Sequence, residues 1–175
     1  MMALLVRLGL LPLVGLICVL IVAVPASPVN PAWPMPDLLI CLCAYWVLRR
    51  PAAAPMLVMF GLGLVADLML MRPVGIGALS LVLVTEVLRG QRKVLRDMPF
   101  VLEWVVVSVL IALSVLAQAL AVWISLGPIP GLTLLFWHVL ITIAAYPVVA
   151  LTCRVALNMG HRDRPGASYS GYLGG

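Results

Sequence analysis

Apolar residues in this chain come in long unbroken runs, without the every-second-residue alternation of a half-buried strand. Six runs stand out: Leu8–Val24, Asp37–Leu48, Met56–Met71, Val74–Leu88, Phe100–Leu126 and Leu132–Cys153. A helix crossing ~30 Å of hydrocarbon takes ~20 apolar residues, so the second run is short. No run shows the polar lumen face that a membrane barrel requires. The predicted fold class is all-α, a polytopic integral membrane protein with six transmembrane helices. Residues 1–157 form the predicted helical domain, and the polar, glycine-rich residues 158–175 are expected to be a disordered tail. Between the runs, residues 25–36 carry five prolines and no charge, predicting a stiff loop. Gly127-Pro128-Ile129-Pro130-Gly131 predicts a tight turn, and Arg89–Asp97 reads as a basic loop.

Composition agrees. Hydrophobic residues make up 65% of the 175 and charged residues 10%. A soluble domain runs nearer ~45–50% and ~25%. That excludes an ordinary soluble enzyme, a disordered chain and a disulfide-rich secreted domain. The net charge of +5 does not indicate nucleic acid, because the basic residues sit between apolar runs. With a cytoplasmic N-terminus, Arg7, Arg49, Arg50, Arg89, Arg92, Lys93, Arg96, Arg154, Arg162 and Arg164 fall inside and Arg72 alone outside. This bias requires an even number of spans with both termini cytoplasmic, so the short second run is expected to cross. Trp33, Trp46, Trp104, Trp123 and Trp137 lie near run ends, where an indole N–H stays wet. The N-terminus has a signal-peptide look, but its apolar run is long and Pro25 would adjoin the cut, so it is expected to stay as a span.

Ionisable residues inside such runs are functional candidates by default. Asp37 opens the second run as an expected N-cap. Asp67 lies near the outer end of the third run. Arg72 is expected to pair with Asp67 or Asp37, a structural role preferred here over substrate or proton binding. Glu86 and Glu103, near inner ends, are expected to form interfacial ion pairs, and Asp67→Asn is expected to do more harm than Glu103→Gln. Gln118, one turn from Ser114 and beside Ala117 and Ala121, is expected to bond a neighbouring helix or a partner's helix. Cys18, Cys41, Cys43 and Cys153 lack metal spacing and read as apolar fillers. No convergent metal ligands, serine–base pair or aspartyl dyad is evident, so no cofactor and no enzymatic activity are expected.

Four ordered motifs carry a family resemblance: Trp33-Pro34-x-Pro36-Asp37-Leu38-Leu39; Tyr45-Trp46-x-Leu48-Arg49-Arg50-Pro51; Gly61-Leu62-x-x-x-x-Asp67-Leu68; and Arg72-Pro73-x-Gly75-x-x-Ala78-Leu79. Together they resemble MreD, the bacterial rod shape-determining membrane proteins. The resemblance implies a non-enzymatic scaffold of the cell-elongation machinery in the inner membrane. It would bind MreC and share a complex with MreB, RodA and its penicillin-binding transpeptidase. It also implies a fold similar to the S components of energy-coupling-factor transporters, which keeps open an alternative, a small-solute binding subunit. Asp37, Pro73 and Gly75 would fix the outer ends of runs two to four. Arg49, Arg50 and Arg89–Arg96 would form a basic inner face, meeting anionic membrane lipids or acidic parts of a cytoskeletal partner.

Overall fold

The shortest apolar run becomes the centre of the molecule. The computed structural model describes residues 2–23, 35–125 and 131–156. It contains α1 (Met2–Ala23), α2 (Leu38–Arg49), a 3-10 turn (Pro51–Ala53), α3 (Met56–Met69), α4 (Ile76–Asp97), α5 (Phe100–Ile124) and α6 (Leu132–Ala156). All ten residues Leu39–Leu48 are buried. The α2 helix packs against α1, α4 and α6, while α3 closes between α1 and α4, and α5 between α4 and α6. The other helices therefore cover α2 on all faces, and its continuous run of apolar residues is the run of a core helix.

Helices α5 and α6 are each long and apolar enough to cross a membrane. At 12 residues, α2 is only about 18 Å long, far short of ~30 Å. Large apolar side chains face outward, among them Leu116 (66% exposed), Phe136 (64%) and Val148 (64%). A soluble protein would not leave so much apolar surface uncovered.

Two sequence expectations are corrected here. The basic stretch Arg89–Asp97 is helical, because α4 runs on to Asp97. Arg, Gln and Lys are good helix formers, and Leu88 and Leu95, seven residues apart, are both buried and hold this extension to the body. The helix stops at Met98, whose extended backbone (φ −85°, ψ 156°) suits a residue preceding Pro99. Trp46 does not sit at a wet interface. It is fully buried, and its Nε1–H has no hydrogen-bond partner. A short central helix is covered even at its ends, so closeness to a run end misreports depth. Trp104 is half-buried and its Nε1–H donates to the Ile143 carbonyl at 3.0 Å, whereas Trp123 and Trp137 are exposed. The 158–175 tail, most of the proline-rich loop including Trp33, and the Gly127–Gly131 turn up to Pro130 lie outside the described residues.

Helices α3 and α4 pack closely at Gly63. A Cβ added to Gly63 would lie 2.5 Å from the Ala78 Cα, a clash with backbone that no rotamer relieves. One added to Gly61 meets nothing within 4 Å. Gly63→Ala is expected to lower stability by ~1–3 kcal/mol by forcing the helices apart. Gly61→Ala should be neutral, or stabilising by up to ~1 kcal/mol through helix propensity. Thermal unfolding of the two purified variants in detergent checks the contrast.

Candidate functional site

Two polar clusters occupy the two ends of α2. At the N-terminal end the chain turns from α3 into α4. The α3 helix closes with Met71 in the left-handed region (φ 51°), and the Arg72 N–H bonds the Asp67 carbonyl at 2.9 Å. This six-to-one closure usually places glycine where Met71 stands. Pro73 follows and ends the helix. Gly75, at φ 96°, then launches α4 from a conformation that side chains with a Cβ resist.

Asp67 joins these pieces. Its side chain is buried, and Oδ2 accepts from the backbone N–H groups of Gly75 (2.9 Å) and Ala78 (3.2 Å). N–H groups at a helix start have no partner within the helix. Asp67 thus caps α4 from the preceding helix and places negative charge at its positive end. Gly77 packs so close to this carboxylate that a Cβ there would collide with it.

Asp37 makes the other half. As N-cap of α2 it accepts from Ile40 N at 3.4 Å through Oδ1, and Oδ2 pairs with Arg72 Nη1 at 3.1 Å. Its own N–H donates to Thr142 Oγ1 on α6 at 3.2 Å. Arg72 therefore pairs with Asp37 through its side chain and with Asp67 only through the backbone. The Arg72–Asp37 pair is partly solvent-exposed and contributes ~0–1 kcal/mol. Between these groups lies a recess of about 30 Å³ lined by Asp37, Asp67, Arg72 and Gln118. Gln118 is half-buried and makes no hydrogen bond among the described residues.

At the C-terminal end of α2, Arg49 Nη2 pairs with Glu103 Oε2 at 2.6 Å, and the Tyr146 hydroxyl donates to Glu103 Oε1 at 2.8 Å. Three helices meet at this carboxylate. The Arg49 guanidinium also lies over the Tyr45 ring, 5.4 Å from its centroid, and Phe100 stacks on Tyr146 with centroids 6.3 Å apart. Glu103 is only 1% exposed, so it is a core residue where an interfacial one was expected. Arg89 pairs with Glu86 at 3.4 Å and bonds the Ala54 carbonyl, tying α4 to the turn after α2. Arg50 is the C-cap of α2 and opens that turn.

The arrangement brings Asp37, Asp67, Arg72, Pro73 and Gly75 together at one end and leaves Arg49 and Arg50 at the other. Trp46 belongs to the core, away from either cluster. Sequence reasoning missed Tyr146 and Thr142, and it undervalued Glu103. The available signal was a lone carboxylate and a lone phenol on otherwise apolar helices, each needing a buried partner. Among the described residues no three His, Cys, Asp or Glu side chains group to hold a metal. Asp67 Oδ2 accepts from the start of α4, and both oxygens of Glu103 are engaged by Arg49 and Tyr146.

A family model described as rod shape-determining protein MreD matches residues 3–156 of the chain. No curated protein and no solved structure matches it.

The geometry reverses the expected order of two substitutions. Asp67→Asn keeps an acceptor oxygen for the α4 N–H groups and loses only the charge, costing ~1–2 kcal/mol. Glu103→Gln leaves the Arg49 charge uncompensated in a largely buried site, costing ~3–5 kcal/mol. Unfolding of the two variants in the same detergent should place Glu103→Gln well below Asp67→Asn. Equal midpoints, or the opposite order, would show that the Arg49–Glu103 contact contributes little.

Proposed function

The chain belongs to the MreD family of rod shape-determining proteins, and from that premise we propose that it is a non-enzymatic scaffold of the bacterial cell-elongation machinery. In this reading its helices lie in the inner membrane with both termini in the cytoplasm. It binds MreC and helps organise lateral peptidoglycan synthesis together with MreB, RodA and the associated penicillin-binding transpeptidase. The observation that carries the reading is how the buried charges are used. Asp67 Oδ2 caps a helix, and both Glu103 oxygens hold a three-helix junction. A chain whose buried carboxylates hold helices in place offers neighbours a fixed surface. In lipid that surface recruits through packing and polar contacts between helices.

The alternative, a small-solute binding subunit, has less support. The recess near Asp37 encloses about 30 Å³, room for roughly two water molecules. Ligand pockets run to ~300–1,000 Å³.

Two measurements test the scaffold. In a rod-shaped host depleted of its own MreD, supplying this chain should restore rods of normal width. A tagged copy should co-purify MreC from native membranes. Persistent rounding despite normal accumulation, together with absence of MreC from the purified material, would overturn the proposal. A vitamin or metal that raises the unfolding midpoint at micromolar concentration would favour the alternative.

A further inference from the structure

The basic residues around the turn after α2 divide into two groups. Arg49 and Arg89 are engaged inside the fold, with Glu103 and with Glu86 plus the Ala54 carbonyl. Arg50, Arg92 and Lys93 have no ion-pair partner among the described residues. Arg50 and the Arg92–Lys93 pair stand on either side of one contact, between Arg89 and the Ala54 carbonyl. Arg50 opens the Pro51–Ala53 turn, and Arg89 is tied to Ala54 at its other side. Arg92 follows Arg89 by three residues and so shares its helix face. Asp97, exposed at the end of α4, is the nearby acidic residue without a partner among the described residues. The corner therefore keeps a positive excess.

Beside these charges the surface is apolar. Val94 is 58% exposed, Met98 40%, Phe100 43% and Val101 62%. The last two begin α5, which is long and apolar enough to cross a bilayer. Cations placed where a spanning helix begins sit at headgroup depth, and the apolar side chains beside them sit at acyl-chain depth. We infer that the α4–α5 corner, with Arg50, Arg92 and Lys93, is a binding site for the headgroup of an anionic phospholipid, whose chains cover Met98, Phe100 and Val101. An acidic protein surface would satisfy the charges and leave the apolar rim uncovered, whereas a lipid satisfies both. The inference rests on α5 crossing a bilayer, which is part of the reading above, and not on any protein partner.

The test is native mass spectrometry of the full chain in a nonionic detergent with an equimolar mixture of phosphatidylglycerol and phosphatidylethanolamine. The wild-type chain should retain phosphatidylglycerol preferentially. Each basic side chain near an anionic surface contributes a factor of about five, so Arg92→Gln with Lys93→Gln should weaken retention about twenty-five-fold. Arg50→Gln, on a different element, should weaken it about fivefold. Arg154→Gln, exposed at the end of α6, should leave it unchanged. Unfolding midpoints without added lipid show whether each variant folds. Equal retention of the two lipids overturns the inference, as does an equal loss for Arg154→Gln or displacement by millimolar inorganic phosphate. Failure of MreC to co-purify would leave this lipid preference standing, so the two readings fail separately.

Discussion

The α2 helix is short and enclosed by α1, α4 and α6, which bury every residue from Leu39 to Leu48. That constraint governs the rest of the architecture. The ends of such a helix carry free N–H and C=O groups and flanking charges that need partners. Both ends are provided for. Asp37 caps the start and is held by Arg72, and Arg49 closes the last turn against Glu103. Each partner comes from a different part of the chain, so settling the ends of α2 also fixes where α4, α5 and α6 stand.

Asp67 extends the same logic one element further. A turn from α3 to α4 leaves one set of carbonyls and one set of N–H groups unpaired within a few residues of each other. The Asp67 carbonyl receives the Arg72 N–H, and its carboxylate receives the N–H groups of Gly75 and Ala78. One residue closes one helix and opens the next. This local geometry explains why Gly75 and Gly77 surround it, the first for its positive φ and the second for the space the carboxylate takes. Such caps and buried pairs tie each helix end to a neighbouring helix.

The helices themselves were readable from the sequence, because unbroken apolar runs punctuated by Pro and Gly have few other structural solutions. Of the grouping Asp37, Arg72, Asp67 and Gly75, spacing alone suggested most, since these residues flank two adjacent turns. Depth was not readable. Trp46 and Glu103 sit near run ends, a position that in a uniform bundle means interface, but here α2 is short and its neighbours overshoot it. The Glu103–Tyr146 contact joins residues 43 apart on different helices, and nothing in local periodicity marks such a pair. The helical extension of α4 was hidden by its charge, which reads as a loop unless the buried Leu88 and Leu95 are weighted above the basic residues between them.

The most direct check of this account is a double-mutant cycle on Arg49 and Glu103, measured as unfolding free energy in detergent. Arg49→Met and Glu103→Gln should each cost ~3 kcal/mol or more, and the double variant should cost no more than either alone, because the second change removes the charge stranded by the first. Additive losses, with a coupling energy below ~0.5 kcal/mol, would contradict the claim that this buried pair anchors the central helix.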